Sequence, residues 1–407
     1  MSKNAVAIGI DVGTTTVRAV IGVVGDDMEV PTIVGAGSSP NKGMRKGIVN
    51  NVEETAAAIN AAVEEAERIS GQRVQAATVS ANGAHIIGLN SKGVVAISSV
   101  NREIGLEDLE RAEEAATVVQ LPPNREILQV FAKSYALDGQ ENIKDPIGMS
   151  GVRLEVDAHI LTAATPATKN LDRTLEESGI AVNHHIVAGI ASAEAVLEPR
   201  QKDTGTVVID IGAGTTNIVV FEEDDVQHVA VLPVGSNNLT NDLAIGLRTE
   251  LDVAEEVKLN HASATGIDDT TKKKMNLTVK EQEYSFKRVD VNDIVKARLD
   301  ELFDLIDDEL KKINRSGKLP GGVVLVGGGA LLPDIDEYVK NKLKLPARVG
   351  TPKNYSGIID TINSPEYAAA VGLMMLDMRL SDYVDSSSFS PSQWMETIKN
   401  FVRRLKP

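Results

Sequence analysis

Two periods of apolar and polar residues alternate along the chain. The clearest is at residues 207–221, VVIDIGAGTTNIVVF: an apolar run, then Asp210-Ile211-Gly212-Ala213-Gly214-Thr215-Thr216, then a second apolar run. β-Branched residues on both sides predict two strands, and the glycines between them predict a tight hairpin. Such a turn can gather backbone N–H groups into a concavity suited to phosphate, and its glycines admit a ligand close to the backbone. Thr215 and Thr216 add hydroxyls. Asp210 ends a buried strand, where a carboxylate is costly unless it meets a cation. Mg²⁺ on a nucleotide, held through water, is the economical partner. Taken alone, the stretch is equally compatible with an ordinary Gly-rich turn.

Residues 5–24, AVAIGIDVGTTTVRAVIGVV, repeat the pattern with Asp11, Gly13 and Thr14-Thr15-Thr16 between apolar strands. Two copies of one strand–turn–strand device half a chain apart predict a duplicated fold. Its two lobes would face each other, each offering a phosphate hairpin and an acid.

Helical periodicity appears at 53–69, 166–178 (closed by Gly179), 186–197, 236–251, 253–261 and 291–313. Residues 74–81 and 227–234 read as strands. Residues 84–161 read as an inserted module, with alternation at 86–98, a helix at 106–119, a Pro122-Pro123 break and strands at 127–137 and 152–161. Residues 272–288 are polar and charged and read as loop. At 322–335, GVVLVGGGALLPDI predicts a buried strand, then Gly327-Gly328-Gly329, then a helix. Such a triplet allows close approach of a nucleoside, although it also serves as a plain turn. A helix ending near residue 380 closes the body.

Composition narrows the function. Cysteine is absent, which excludes disulfides, thiolate metal sites and a cysteine nucleophile. The six histidines lack metal-site spacing, and no G-x-S-x-G elbow occurs. A net charge of −16 argues against general nucleic-acid binding. The N-terminus does not read as a signal peptide, and no apolar run is long enough to span a bilayer. The cytosol is the expected compartment.

The tail differs in kind. Residues 381–389 read as a linker. At 390–407, Ser390-Pro391-Ser392-Gln393 reads as a helix start. Trp394, Ile398, Phe401, Val402 and Leu405 share one helical face; Lys399, Arg403, Arg404 and Lys406 share the other. With four basic residues against Glu396, the segment is basic on an acidic protein and carries the only tryptophan. This reads as an amphipathic membrane-targeting helix; docking on the body or on a partner is the alternative.

The ordered set of two Asp-x-Gly-(x-Gly)-Thr-Thr hairpins, the glycine triplet and two helical segments at 188–197 (AGIASAEAVL) and 364–374 (SPEYAAAVGLM) resembles the actin/Hsp70/sugar-kinase ATPase superfamily. Within it the chain is similar to the bacterial FtsA family. Asn90-Ser91-Lys92-Gly93 and residues 144–160 (KDPIGMSGVRLEVDAHI) resemble that family's 1C subdomain. The resemblance implies an α/β, actin-like, two-lobed fold with duplicated RNase H-like cores, an inserted 1C-type subdomain and a C-terminal amphipathic helix. The implied boundaries are 1–83 plus 162–198 for 1A, 84–161 for 1C, 199–227 plus 315–380 for 2A, and 228–314 for 2B.

The resemblance further implies ATP and Mg²⁺ as ligands. Gly13, Thr14, Thr15, Thr16, Gly212, Ala213, Gly214, Thr215 and Thr216 would surround the phosphates. Asp11 and Asp210 would hold Mg²⁺ through water. Gly327, Gly328 and Gly329 would pack on adenosine, and Glu255 and Lys258 would touch ribose and adenine. Partners implied are the FtsZ C-terminal tail, further copies in actin-like filaments, membrane lipid and other division proteins. Lys296 and Arg298 are candidates for the tail peptide.

Two departures stand out. Relatives often carry Lys where Thr16 stands; here Arg18, two residues on along the same strand face, is the candidate substitute. Ala188 falls where actin has the glutamine that positions the attacking water, so slow hydrolysis is expected. Two other readings are a small-molecule kinase of the same superfamily and a scaffold of another membrane machine such as pilus assembly. The first lacks a motif for a substrate pocket and has no use for the tail.

Overall fold

A computed structural model of the chain describes residues 5–24, 30–99, 101–266 and 274–381. The expected tail helix at 390–407, with Trp394 and its neighbours, lies outside the described residues.

Two sheets carry the body. The first runs in the order Ala181–Val187, Ala76–Ala81, Ala5–Val12, Thr16–Val24, Thr32–Pro40, ending on the short strand Ser356–Gly357. The second runs Asp225–Leu232, Thr216–Glu222, Thr206–Ile211, Gly322–Val326, Ala347–Val349. Numbered by chain order within each lobe, both sheets read 3-2-1-4-5. The first three strands are antiparallel, and the last two run parallel to strand 1. The hairpin repeat therefore belongs to a duplicated lobe.

The strands form here because both sheet faces are covered, which suits near-continuous apolar runs. Along Thr206–Ile211, Val207, Ile209 and Ile211 pack with the helices Leu251–His261 and Arg288–Lys312. Val208, pointing the other way, packs with the helices Ala188–Val196 and Ala368–Ser381. Those last two helices connect the lobes and cross in close contact. A Cβ on Gly372 would sit 1.7 Å from the Ala191 carbonyl, so only glycine fits there.

The insertion is a four-stranded antiparallel sheet, Ile87–Ala96, Arg153–Ala164, Arg125–Leu137, Gln140–Ile143, with the helix Leu106–Thr117 on one face. It has its own core, including Leu154, Val156 and Ile160. It also leans on the second lobe: the Val229 N–H donates to His159 Nε2 at 3.2 Å, and Lys144 meets Asp225 at 2.8 Å.

Some segments differ from expectation, and one strand was not read from the sequence at all. Residues 186 and 187 end the strand Ala181–Val187 and do not begin the helix, which starts at Ala188. Residues 272–288 contain the hairpin Lys274–Val279 with Gln282–Lys287. Met275 and Leu277 alternate inward there between polar neighbours, a period of two that the overall polarity hides. The strand Thr32–Pro40 has three small residues at its centre, and partners on both sides supply the order that its composition does not.

Candidate functional site

The central strands of both lobes end at one cleft of about 470 Å³. Its two hairpin loops are equivalent residue by residue. The last cross-strand pairs are Val12 with Val17 and Ile211 with Thr216. The loops close by Gly13 N–H to Thr16 O at 3.1 Å and Gly212 N–H to Thr215 O at 2.9 Å. Gly13, Thr14, Thr15 and Thr16 thus correspond to Gly212, Ala213, Gly214 and Thr215. By the same register Asp11 stands opposite Arg18, and Asp210 opposite Asn217.

Each loop is anchored from behind. The Gly13 carbonyl accepts from Asn41 Nδ2 at 2.9 Å, and the Thr15 carbonyl accepts from the Asn41 N–H at 2.8 Å. In the second loop the Gly212 and Ala213 carbonyls accept from the N–H groups of Ser236 and Asn237, at the start of the helix Ser236–Leu247. The loops are thus held in shape by the protein itself, which is the preorganisation an anion site needs.

Nearly all the expected site residues converge here. Asp11, Gly13, Thr14, Thr15, Thr16, Asp210, Gly212, Ala213 and Thr215 line the cleft from the hairpin side. Gly327, Gly328, Gly329, Glu255 and Lys258 line it from the second lobe. Gly214 and Thr216 are outside the lining. A Cβ on Gly214 would come within 2.7 Å of Thr14 Oγ1, so this glycine lets the two loop tips touch. Thr216 is buried and gives its hydroxyl to the Val234 carbonyl at 2.8 Å.

The two acids share one environment. Burial pushes the Asp11 carboxyl above its ordinary range, opposed by a hydrogen bond from Ser80 and by the Arg18 charge. Burial, then the nearby charge of Asp11, pushes Asp210 up to about 7, against a hydrogen bond from Ser192 at 2.9 Å and the Arg18 charge. Two carboxylates in one dry place repel each other, and a divalent cation between them relieves both penalties.

The glycine triplet divides its work. Gly327 has φ +79°, and a Cβ there would lie 2.4 Å from Asp210 Oδ1. Gly329 packs against Ile211. Gly328 has open space on its Cβ side, so a flat ligand can approach it. A short 3₁₀ turn, Gly328–Leu331, follows, and the expected helix begins only at Ile335. Across from it, Lys258 Nζ lies 2.7 Å from Glu255 Oε2, and the Thr240 hydroxyl donates to the same oxygen at 2.6 Å. The i, i+3 pair is built into the cleft wall.

Arg298 also lines the cleft, paired with Asp242 and Glu301, while Lys296 is exposed on the same helix. Ala188 lines the floor and presents only a methyl group. Beside it, Asn217 Nδ2 donates to Asn82 Oδ1 at 3.1 Å, bridging the lobes. Ser80, Asn82, Ser192, Asn217 and Thr240 were not evident from the sequence. Only Asn217 had a signal, since superposing the two hairpin copies puts it in the place of Arg18. Among the described residues no helix is long and apolar enough to cross a membrane.

The profile of the cell division protein FtsA matches residues 207–372, and that of the SHS2 domain inserted in FtsA matches residues 83–162. The chain is 36% identical to the cell division protein FtsA of Pseudomonas aeruginosa, over 99% of both chains. It is 37% identical to that of Borreliella burgdorferi, over 92% of this chain and 91% of that one. With FtsA of Escherichia coli K12 the identity is 31%, over 92% and 90%. Among solved structures, a PilM-PilN type IV pilus biogenesis complex matches with a TM-score of 0.67 at 19% identity, covering 91% of this chain and 98% of that one. MreB5 of Spiroplasma citri bound to ADP matches with a TM-score of 0.57 at 13% identity, covering 94% and 99%. These structures share the actin-like fold alone, whereas the full-length sequence identities reach further. The chain belongs to the FtsA family of cell division proteins.

Proposed function

We propose that this protein binds Mg²⁺–ATP in the cleft and uses it to set a filament-competent conformation. The observation that carries this is the facing pair Asp11 and Asp210, each at the foot of an anchored phosphate-type loop. Hard carboxylate oxygens suit Mg²⁺. Among the described residues no group of three or more His, Asp or Glu could enclose an ion. Water and phosphate oxygens would therefore complete the shell, with Asp11 and Asp210 as the protein's contribution. Gly328 and Gly329 would take the adenosine, and the Glu255–Lys258 pair its ribose and base.

Hydrolysis is proposed to be slow. Ala188 can neither orient nor deprotonate water, and phosphoryl transfer depends on positioning. ATP then acts as a clamp between lobes and favours assembly into actin-like filaments.

The filaments are proposed to lie on the inner face of the cytoplasmic membrane at the division site, attached by the basic amphipathic segment 390–407. They would tether the FtsZ ring there through the FtsZ C-terminal tail and recruit later division proteins. The tail peptide is assigned to the 228–314 region, where Lys296 is exposed and Arg298 is already paired with Asp242 and Glu301.

Liposome co-sedimentation with ATP, with and without residues 390–407 and followed by Trp394 fluorescence, tests the anchor. Pelleting unchanged by truncation would remove it. The fold match to the PilM-PilN complex keeps one second reading, a scaffold for pilus assembly. Binding of an FtsZ tail peptide decides between the two.

A further inference from the structure

We infer that the inserted module is a strap between the lobes: it restrains the angle at which they close, and the cleft opens further when the module lifts off the strand Asp225–Leu232. This restraint acts whatever fills the cleft. The module's chain leaves and re-enters the first lobe, between the strand Ala76–Ala81 and the helix Thr165–Glu177. Yet three of its strands, Ile87–Ala96, Arg125–Leu137 and Arg153–Ala164, lie against Asp225–Leu232, the edge strand of the second lobe's sheet.

The seat is built around His159, which is 1% exposed. Its Nε2 accepts from the Val229 N–H at 3.2 Å, and its Nδ1–H donates to Asn90 Oδ1 at 2.8 Å. Those two contacts require one neutral tautomer. Burial, helped by the His228 and Lys133 charges, pushes His159 down to about 3, so the ring stays neutral. The His228 ring lies 5.6 Å away, with its Nε2 3.1 Å from Glu309 Oε2 on the long helix Arg288–Lys312. Gly88 makes the close approach possible: a Cβ there would lie 2.6 Å from His159 Nε2 and 2.8 Å from the Val229 carbonyl oxygen. Phe131 of the module shares an apolar core with Val226 and Val229. At the rim, Lys144 Nζ lies 2.8 Å from Asp225 and 3.0 Å from Glu223.

The two connecting helices let the lobes turn about them, and a third link restrains that turn. The module also touches this hinge. Gln129 Oε1 accepts from the Val187 N–H at 3.4 Å, where the helix Ala188–Val196 begins. Release is possible because part of the seat is polar and wet: Lys144 is 36% exposed and Glu223 67%. Interfaces of this mixed kind within one chain permit relative motion. Docking is favoured because lifting off would strip the edge-strand Val229 N–H of its acceptor.

Pulsed electron paramagnetic resonance on the full chain tests the strap. The chain has no cysteine, so spin labels at Glu64→Cys in the first lobe and Lys340→Cys in the second, both exposed positions, report one distance. The doubly labelled parent should give a narrow distribution. Gly88→Ala drives a methyl group into the seat and should lengthen or broaden the distance by more than about 2 Å, the size of a hinge rearrangement. Lys144→Gln should act in the same direction but less. Raising the salt should shift the parent toward Lys144→Gln and leave that variant unmoved. Arg153→Gln is the control, since Arg153 is 61% exposed and pairs with Glu155 within the module. An unchanged distribution in Gly88→Ala, or an equal change in Arg153→Gln, would overturn the inference. If Gly88→Ala does not fold by circular dichroism, Lys144→Gln decides: a distribution identical to that of the parent at low salt would overturn it.

Discussion

Two buried carboxylates lie beside the same short helix, Ala188–Val196, and meet opposite fates. Glu194, on the helix itself, is 7% exposed and is paired with Lys202 at 2.8 Å and with Arg379. Asp210, equally buried, is touched by the Ser192 hydroxyl of that helix and faces another acid, Asp11. Burial pushes both carboxyls up. At Glu194 the charges of Lys202 and Arg379 overcome burial and hold it below its ordinary range. At Asp210 the second acid adds to burial. One acid is completed by the chain and serves the fold. The other has only the Ser192 hydroxyl and the Arg18 charge against burial and the second acid, an imbalance that the proposed Mg²⁺ would relieve.

The largest test of this contrast is Glu194→Gln. It leaves Lys202 and Arg379 facing a neutral amide at the junction of three helices. Breaking a buried pair from one side costs about 3–5 kcal/mol. Arg379 is 42% exposed and can turn to water, so the lower end is expected. Urea unfolding at neutral pH measures it, and a loss under about 1 kcal/mol would erase the contrast.

Acid sharpens the same point. The Glu194 carboxyl is depressed in the folded protein, so the unfolded chain takes up its proton first as pH falls. Its contribution to stability is full above the ordinary value of 4.5 and is lost as pH drops through the folded value below it. The stability gap between the parent and Glu194→Gln should therefore be constant from pH 7 to about 5 and close on further acidification. A gap that persists at pH 3 would mean that packing, not charge, carries the effect.

Asp210→Asn should behave in the reverse manner. It removes a repelled charge, so the ligand-free protein should unfold no more easily than the parent. Mg²⁺–ATP affinity should fall roughly ten- to hundredfold, because a charged ligand contact is lost. Calorimetric titration and thermal melting, run side by side, separate the two effects. A variant that binds normally, or one that melts much earlier, would make Asp210 structural like Glu194.

The same contrast shows what the sequence could and could not reveal. The hairpins, the glycine triplet and the long helix were legible because local patterns carry them: apolar runs, clustered glycines and 3.6-residue periodicity. Asp11 and Asp210 were legible as acids at strand ends. Their facing each other was expected from the duplicated device; the burial that raises both was not, since it depends on how the two lobes close. Ser80, Ser192 and Asn82 come from a strand, a helix and a loop, each far from the acid or amide it serves, and no spacing rule links them. Lys202 reaches Glu194 from eight residues away, but Arg379 reaches it from across nearly half the chain. The hairpin at 274–287 was hidden because its polar residues outnumber the inward-facing Met275 and Leu277.

The smallest effect is expected at Gly328, and it bears on the ligand alone. Its neighbour Gly327 cannot change: positive φ and the contact with Asp210 Oδ1 tie it to the acid site. Gly328 has ordinary φ and nothing within 4 Å of an added Cβ. Gly328→Ala should therefore shift folding stability by no more than about 0.5 kcal/mol. The methyl group projects into open space where the nucleoside is expected, so ATP and adenosine affinities should fall together, a few-fold each. If Gly328→Ala weakens ATP but not adenosine, the base does not lie on the triplet, and these glycines serve Asp210 rather than the nucleoside.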